Sequence, residues 1–436
     1  MEVRPGYKQT EVGEIPESWT CERVRDAAAS TANSIVGGPF GSDLVSADYS
    51  STGVPVVRGQ NMAGEFVSGE FVFVPPHKAK SLSANLACPG DLVFTQRGTL
   101  GQVSVVPSNA FESYLISQSQ MKVSLDRSRH DANFVHQYFS SHAGQKQITT
   151  SAIQTGVPHT NLGILREYRF PAPPLPEQKA IAAALDDVDA LLSGLDRLIA
   201  KKRDLKQAAM QQLLTGQTRL PGFGGQWSGG VVGNVVEALE AGVSVNSTDE
   251  PPASEVPSVL KTSAVSAGTF IPEECKRITH ADVARARLNP LAHTILVSRM
   301  NTPDLVGDVA YVPADYPWLF LPDRLWMTRF RPGVPIDVRW LAYLLSSRVY
   351  QQQIKAAATG TSGSMKNISK DSLLGIPVLF PEYQEQTAIA TVLSDMDAEL
   401  AALEVRRDKT CLLKQGMMQE LLTGKTRLIT PEVAHV

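Results

Sequence analysis

The sequence is poor in the residues that build covalent and metal frameworks. Only four cysteines occur in 436 residues. They are far apart, and no C-x-x-C pair or neighbouring histidine completes a zinc-ligand spacing. This argues against a disulfide framework or a structural zinc site and fits a reducing compartment. No run reaches ~18 apolar residues, and the first residues do not resemble a signal peptide. We therefore expect a cytoplasmic protein without a membrane span.

An excess of positive charge is also lacking. Lys and Arg number 41 against 44 Asp and Glu, a net charge of −3. The surplus acid lies at the ends, because residues 1–20 have a net charge of −2 and residues 379–436 of −3, whereas 21–170 and 219–378 have +1 each. Any basic surface must therefore arise through folding, and bulk charge neither supports nor excludes nucleic acid as a partner.

Catalytic motifs are missing as well. The sequence has no Walker loop and no Asn/Asp-Pro-Pro-aromatic motif of an amino-methyltransferase. The glycine-rich Gly222–Gly225 follows a helix end rather than a strand, which favours a linker. Glu274-Cys-Lys276 could imitate a nuclease carboxylate–lysine pair but lacks an upstream Asp. None of the eight histidines belongs to a convincing metal-ligand set. We therefore predict no catalytic residue and no metal site, and only a binding role has positive support.

What the sequence does contain is a duplication. Shifting 177–220 by 208 residues onto 385–428 gives 24 identities in 44 positions without a gap. The same shift takes Trp19 onto Trp227. The period is far longer than the roughly 20 to 50 residues of solenoid repeats. The chain is therefore a duplicated half-molecule, and we expect a partner or substrate with approximate two-fold symmetry.

Each copy of the repeat predicts a long helix. Pro176 can occupy the first helical turn, and apolar residues then recur at coiled-coil spacing. A helix from about 177 to 215 would be roughly 57 Å long, with Gly216 and Gly424 as left-handed caps. We expect the helices to pack on each other, and their length to set the distance between the flanking domains. The predicted seam consists of Ile181, Leu185, Val188, Leu192, Leu195, Ile389, Leu393, Met396, Leu400 and Leu403.

Two blocks beside the helices predict mixed α and β structure. Each ends in a predicted helix, at 134–148 and 340–354, followed by Thr155-Gly156 and Thr359-Gly360. The blocks therefore share a fold, while most of their residues differ. Strand-like runs between turn residues are Val54–Val57, Glu70–Val74, Asp91–Thr95 and Thr294–Ser298.

Loops in both blocks carry side chains suited to reading bases. Arg matches guanine, and Asn or Gln matches adenine, because each can form paired hydrogen bonds with one base edge. Taken singly, each residue is weak evidence, since a surface Arg or Asn is more often merely solvated. Their clustering at turns strengthens the joint case. The candidate DNA contacts are Ser42, Arg58, Gln60, Asn61, Gln96, Arg97, Thr99, Gln118, His159, Asn161, Lys261, Arg299, Asn301, Thr302, Arg324, Lys366 and Asn367.

Together these features resemble the specificity subunit of type I restriction–modification systems. One departure concerns the lead-in to the second helix, Ile376–Gln386, which is two residues longer than Phe170–Gln178 and puts equal hinge angles in doubt. The resemblance spans essentially the whole chain and is carried by Gly13–Trp19, Gly38–Ser42, Gly90–Gly101, Leu175–Gln178, Leu213–Gly216, Arg219–Phe223 and Ser298–Gly307.

The resemblance implies an α+β fold with two target-recognition domains, joined and spaced by two long antiparallel helices. It implies double-stranded DNA as a partner, with one domain for each half of a split target. It also implies two methyltransferase subunits that carry S-adenosylmethionine, and restriction subunits that use ATP and Mg. No cofactor is expected in this chain. The expected organisation is a partner-contacting segment 1–20, recognition domains 21–170 and 219–378, helices 171–218 and 379–430, and a tail 431–436.

Two alternatives from other classes remain. The first is a self-sufficient nuclease or DNA methyltransferase. The second is a coiled-coil scaffold without a nucleic-acid role.

Overall fold

The computed structural model describes residues 3–154, 156–249, 255–362 and 365–429. The chain divides into unit 1, Met1–Asp196 with Val405–Val436, and unit 2, Arg197–Glu404. Each unit therefore contains one recognition block together with part of both long helices. Thr155 and the tail 431–436 of the sequence analysis lie outside the described residues.

The first half of the chain forms short strands and helices that lead into a long helix. In chain order they are β1 (Tyr7–Thr10), β2 (Gly13–Pro16), β3 (Thr20–Arg23), α1 (Val24–Ala27), β4 (Ile35–Gly37), β5 (Val54–Val57), β6 (Val72–Val74), α2 (Pro76–Ser81), β7 (Leu86–Ala87), β8 (Leu92–Thr95), β9 (Val103–Val105), β10 (Tyr114–Ile116), β11 (Gln120–Val123), α3 (Ala132–Ser140), α4 (His142–Ser151), α5 (Leu162–Glu167), β12 (Arg169–Ala172) and α6 (Leu175–Leu213).

The second half repeats this plan. Its elements are β13 (Ser228–Val231), β14 (Val236–Ala241), β15 (Ser258–Leu260), β16 (Val265–Ser266), β17 (Thr269–Phe270), β18 (Cys275–Arg277), β19 (Thr294–Ser298), β20 (Met300–Asn301), β21 (Val309–Val312), β22 (Leu319–Phe320), β23 (Leu325–Phe330), α7 (Val338–Ser346), α8 (Arg348–Ala357), β24 (Thr359–Ser362), β25 (Met365–Asn367), α9 (Lys370–Leu374), β26 (Pro377–Phe380) and α10 (Tyr383–Leu421).

The sheets of the two units correspond. Unit 1 has one sheet of order β4-β11-β8-β9, and unit 2 has β14-β23-β19-β21. A second sheet, β6-β5-β10-β7, corresponds to β18-β15-β22, and both contain a parallel pair, β5 with β10 and β15 with β22. The predicted α+β class with two long helices is confirmed. None of the described helices has the length and apolarity needed to cross a membrane.

Both long helices end in the same cap. Gly216 and Gly424 adopt φ values of +71° and +68°, the left-handed conformation that glycine enters without steric cost. The amide of Thr218 bonds to the carbonyl of Gln212, and that of Thr426 to Glu420, each at 3.2 Å. Each bond satisfies one of the last helical carbonyls after a left-handed glycine, and it reaches one residue further along the chain than the corresponding bond of a Schellman cap.

The seam residues face inward along both helices. None of the ten is exposed, and the half-buried members are Val188, Leu192, Met396 and Leu403. Within unit 1, Asp189 pairs with Lys414 at 2.7 Å and Asp196 with Arg407 at 4.0 Å. Residue numbers therefore rise along α6 as they fall along α10, so the helices are antiparallel there. Unit 2 has the same direction, with Lys202 pairing with Glu399 at 2.6 Å and Lys206 with Asp397.

The helix predicted near the end of each block is wrong in one respect, because it is two helices. Ser141 separates α3 from α4 and Ser347 separates α7 from α8, both with extended backbone at ψ near 164° and 151°. The Ser141 hydroxyl accepts from the Gly144 amide at 3.3 Å and so caps α4. Serine favours this position because its side chain competes for backbone hydrogen bonds. The strand predicted at 70–74 is shorter and covers only Val72–Val74.

In each unit a buried ion pair with a tryptophan, which we call the clasp, joins the ends of the two long helices. In unit 1 the Glu177 carboxylate accepts from the Trp19 indole at 3.0 Å and from two Arg427 nitrogens at 2.5 and 2.7 Å. The Arg427 guanidinium also lies 5.5 Å from the centre of the Trp19 ring. Glu177 belongs to the first turn of α6, where the helix dipole favours an acid. Arg427 follows the end of α10, so the clasp joins opposite ends of the two helices.

Unit 2 contains the same clasp with its own residues. Glu385 accepts from the Trp227 indole at 3.1 Å and from Arg219 at 2.5 and 2.6 Å. The guanidinium of Arg219 again lies 5.5 Å from the indole ring centre. The duplication seen in the sequence is therefore, at these positions, a duplicated ion pair.

Breaking a clasp should destabilise the protein strongly. In Arg427→Met the Glu177 carboxylate, whose side chain is 2% exposed, loses its countercharge, and breaking a buried pair costs about 3–5 kcal/mol. Arg219→Met should behave alike in unit 2. The matched control is Arg203→Met, whose pair with Glu404 has side chains 63% and 38% exposed, and should cost under about 1 kcal/mol. Urea denaturation followed by tryptophan fluorescence measures all three. Equal losses in the control and clasp variants would contradict the expectation.

Candidate nucleic-acid interface

Three candidate loops of unit 1 meet at one edge of its first sheet. Strand β11 is antiparallel to both β4 and β8, pairing Met121 with Gly37 and Gln120 with Thr95. The carboxyl ends of β4 and β8 therefore lie beside the amino end of β11. The loops at those ends are Gly38–Ser42, Gln96–Thr99 and the segment containing Gln118.

Two further segments join this edge. The Ser117 amide bonds to the Val57 carbonyl at 3.0 Å, which brings the residues after β5, Arg58 and Gln60, to the same place. The Thr160 amide bonds to the Gln96 carbonyl at 3.0 Å, which adds His159 and Asn161. All candidate residues of unit 1 therefore belong to segments that converge. We call this the unit 1 edge: the loops 38–42, 58–61, 96–99, 117–119 and 157–161.

The candidates of the unit 1 edge differ in accessibility. Asn61 is 1% exposed, and its amide donates to the Ser68 and Glu70 carbonyls at 3.0 and 2.9 Å while its oxygen accepts from Arg58 N. That amide holds the loop and has no capacity left for a base, so Asn61 leaves our proposed contact set. The exposed candidates are Ser42, Gln60, Arg97, Thr99 and Gln118, and the half-buried ones are Arg58, Gln96, His159 and Asn161.

Unit 2 builds a corresponding edge. The Arg299 amide bonds to the Arg324 carbonyl at 2.9 Å, as the Gln96 amide bonds to the Ser119 carbonyl at 2.7 Å. The Ile368 amide reaches the Arg299 carbonyl at 3.1 Å, as Thr160 reaches Gln96. The unit 2 edge therefore contains six candidates of its block, which are Arg299, Asn301, Thr302, Arg324, Lys366 and Asn367. The seventh, Lys261, follows β15 and pairs with Glu274 at 3.3 Å.

The unit 2 edge is more enclosed than its counterpart. Strand β25 pairs with β20, placing Met300 opposite Asn367 and Asn301 opposite Lys366. Thr302 and Arg324 are exposed, and the other candidates are half-buried. The Arg299 guanidinium lies 5.7 Å from the centre of the Trp326 ring, a distance at which a cation is attracted to the aromatic face. Arg324 is thus the cation of this edge most open to a ligand.

Sequence reasoning missed a carboxyl cluster in unit 1. Oxygens of Glu65, Asp186 and Asp189 lie within 4.8 Å of one another. The Gln137 amide donates to both aspartates at 3.1 Å, and Lys414 pairs with Asp189 at 2.7 Å. These donors already compensate the aspartates, so we assign no metal to the cluster. The signal for this cluster in the sequence was weak, because Asp186 is not repeated. The corresponding residue of the second copy is Ser394.

Glu65 and Asp189 of this cluster line an open cavity of about 580 Å³. Burial, with the nearby carboxylates of Asp186 and Asp189, raises the pKa of Glu65 to about 7. One Glu65 oxygen has no hydrogen-bond partner within the described part of the chain. Burial, with Lys414 adding to the effect, lowers the pKa of His136 to about 4. Near neutral pH the cavity wall therefore contains the neutral imidazole of His136 and the partly protonated carboxyl group of Glu65.

The pKa of Glu65 predicts a pH-dependent stability. Its ordinary value is 4.5, so between about pH 4.5 and 7 the folded protein keeps a proton that the unfolded chain releases. Stability should fall as pH rises through this window and level off above it. Glu65→Gln removes the titration. Thermal unfolding should show the variant more stable than wild type at pH 8, with the difference vanishing by pH 4.5. The His136 imidazole titrates in both proteins, so its contribution to the pH dependence cancels in the comparison.

Exposed Glu70 offers the control for this measurement. Glu70→Gln should leave the pH dependence of unfolding unchanged. A Glu65→Gln effect of constant size at every pH would mean that packing, not ionisation, is responsible.

The two units are thus α+β modules of corresponding topology, each presenting polar loops at the corresponding sheet edge and each containing part of both long helices. Comparison with known proteins agrees. Residues 49–201 match the type I restriction modification DNA specificity domain. The predicted resemblance of the chain to specificity subunits of type I restriction–modification systems is confirmed.

Individual relatives cover most of the chain. It is 25% identical over 333 residues to the type I restriction enzyme MjaVIII specificity subunit of Methanocaldococcus jannaschii, covering 74% of this chain and 77% of that protein. It is 22% identical over 455 aligned positions to the putative MjaX specificity subunit of the same organism, covering 97% of each. The crystal structure of a type I restriction–modification S subunit from M. genitalium shares the fold, with a TM-score of 0.58, 15% identity and coverage of 97% and 98%.

Proposed function

We propose that this chain is the non-catalytic DNA-recognition subunit of a type I restriction–modification complex. Unit 1 reads one half of a bipartite target, and unit 2 reads the other. The observation that carries the proposal is the convergence of the candidate loops at the same sheet edge in both units, in a chain similar to specificity subunits. We also propose a cytoplasmic location, where its DNA target lies.

The chemistry of the edges suits this role. Arg97 and Arg324 are exposed, and arginine can bond to a guanine edge in the major groove through two nitrogens. Side chains such as Ser42 and Thr99 are short donors of the kind that contact phosphates and fix the register. Because the two edges carry different side chains, they would select different half-sites.

Partner subunits would dock on the long helices. Leu191, Leu198 and Leu205 recur every seven residues along α6 and are 42%, 39% and 47% exposed. On α10, Leu412 and Leu413 are 67% and 58% exposed. Leucines at this spacing form the seam of a further helix contact. We propose that two methyltransferase subunits carrying S-adenosylmethionine cover them, and that restriction subunits using ATP and Mg join the complex.

Removing an exposed arginine from each edge should affect different half-sites. Arg97→Ala should weaken discrimination in one half-site and Arg324→Ala in the other, each by roughly 1–3 kcal/mol if the contact is bidentate. The wild-type motif is obtained by methylome sequencing of cells that contain this chain and its methyltransferase. Binding of the assembled complex to duplexes with one half-site altered then assigns each arginine.

The control for the arginine variants is Arg203→Ala, because Arg203 lies on α6 and belongs to neither edge. Loss of the same half-site in both edge variants would sink the assignment of one unit to each half. Absence of any modified motif despite a stable complex would count against recognition itself. Modification or cleavage by the purified chain alone would favour the self-sufficient enzyme. Absence of salt-dependent DNA binding by the complex would favour the scaffold.

A charge among the exposed leucines of α6 should prevent binding of the methyltransferase subunit without unfolding the chain. In Leu205→Glu a side chain that is 47% exposed becomes charged, which the free chain tolerates but an apolar interface does not. Size-exclusion chromatography with the methyltransferase subunit should show loss of the complex. Leu291→Glu is the matched control, because Leu291 is also 47% exposed but lies in the recognition block. If both variants assemble normally, the docking face lies elsewhere.

A further inference from the structure

One apolar side chain at the unit 1 edge stands in solvent. Phe40 is 83% exposed, and no other large hydrophobic residue in the described ranges is as open. A single exposed hydrophobic residue is ordinary on a protein surface, so exposure alone carries nothing. Its meaning depends on whether the surrounding loop holds the ring there.

The loop that carries Phe40 is fixed at both ends. At its start, the Gly37 carbonyl accepts from the Asn85 amide at 2.7 Å, and Gly38 N donates to the Gln120 carbonyl at 2.8 Å. At its end, Leu44 is buried. Between them the Asp43 amide bonds back to the Phe40 carbonyl at 2.8 Å, which closes a turn. Phe40 is therefore the first residue of a turn that is anchored on both sides.

Gly38 determines how close this turn lies to the candidate loops. A Cβ at Gly38 would collide with the backbone of Ser117 and Gln118, so only glycine permits the approach. A Cβ at Gly41 would lie 3.2 Å from the side-chain oxygen of Gln118. The residues on either side of Phe40 therefore lie beside Gln118, which is already proposed to contact DNA. An aromatic ring among such groups has the composition of a base-stacking site.

Unit 2 repeats the close backbone approach after the corresponding strand, but it has neither the ring nor the turn. Gly242 follows β14 as Gly38 follows β4, and a Cβ there would collide with the Leu321 backbone. Counting two residues onward places Ser244 at the position of Phe40. The sheet registers agree, because Gly37 pairs with Met121 and Ala241 with Trp326 at equivalent points. The two segments thus share a starting glycine and a sheet register, and they differ in the aromatic side chain and in the turn that it begins.

We propose that Phe40 inserts its ring at a base step of the half-site read by unit 1, where it packs against an unstacked base. Apolar side chains used in this way open the step, and the distortion energy depends on the sequence being opened. The half-site read by unit 2 is bound without such a wedge. This inference rests on the proposed function and adds a recognition element to it that makes no hydrogen bond.

The test uses the complete complex with its methyltransferase partner and a duplex containing the bipartite motif. The fluorescent base 2-aminopurine replaces each position of both half-sites in turn, except the methylated adenine. Wild type should give enhanced fluorescence at one step of the half-site weakened by Arg97→Ala. Phe40→Ala should abolish that signal and lower affinity roughly 5- to 100-fold, the effect of losing one base–aromatic contact. Phe40→Leu, which keeps an apolar wedge, should fall between them.

Three controls separate the possible outcomes. Phe66→Ala removes a ring that is 41% exposed beside β9 and outside the edge loops. Ser244→Ala alters the equivalent position of unit 2. Neither variant should change the signal. Thermal unfolding of Phe40→Ala should match wild type, because the ring buries little surface. A Phe40→Ala complex with wild-type fluorescence and affinity would overturn the proposal.

Two further results also bear on Phe40. Loss of methyltransferase binding by Phe40→Ala in the absence of DNA would overturn the proposal in favour of a protein contact. Failure of the wild-type complex to bind any bipartite duplex would instead overturn the proposed function, and the role of Phe40 with it.

Discussion

A buried carboxylate at the start of each long helix is the interaction on which each unit depends. Glu177 and Glu385 are 2% and 1% exposed, and removing a carboxylate from water costs several kcal/mol unless a cation and hydrogen bonds compensate it. The compensation comes from an arginine after the other helix and a tryptophan before the first strand of the block. The observed pairing of the helix ends is therefore favoured over any arrangement that buries the glutamate without its arginine.

The frame built on these clasps is duplicated down to single amide groups. Gln178 accepts from the Asp131 amide and Gln386 from the Asp337 amide, each at 2.9 Å, which ties the long helix of each unit to a helix of its block. These repeated glutamines therefore form hydrogen bonds with the backbone of the chain itself. The edges could diverge because their side chains make few such bonds, and divergence is what two unlike half-sites require.

Local patterns predicted the elements that local forces dominate. The first long helix, expected at about 177 to 215, lies at Leu175–Leu213, because coiled-coil spacing and a capping glycine act along the chain. The strand predicted at Thr294–Ser298 is confirmed, because its run of β-branched and apolar residues is also a local signal. The split at Ser141 was missed, since apolar spacing continues through it while a serine cap interrupts the helix. Asn61 was proposed as a base reader because its residue type fits, yet tertiary contacts consume its amide.

The sequence by itself determined the duplication, the two long helices, the α+β class and the loops that carry the side chains proposed to read bases, because each depends on residue order and spacing. Only the tertiary structure decided that those loops share an edge, that Glu65 lies against two aspartates and that Phe40 is left in solvent. Burial and proximity depend on which distant segments pack together, and that outcome is fixed by the register of the sheets and the pairing of buried charges.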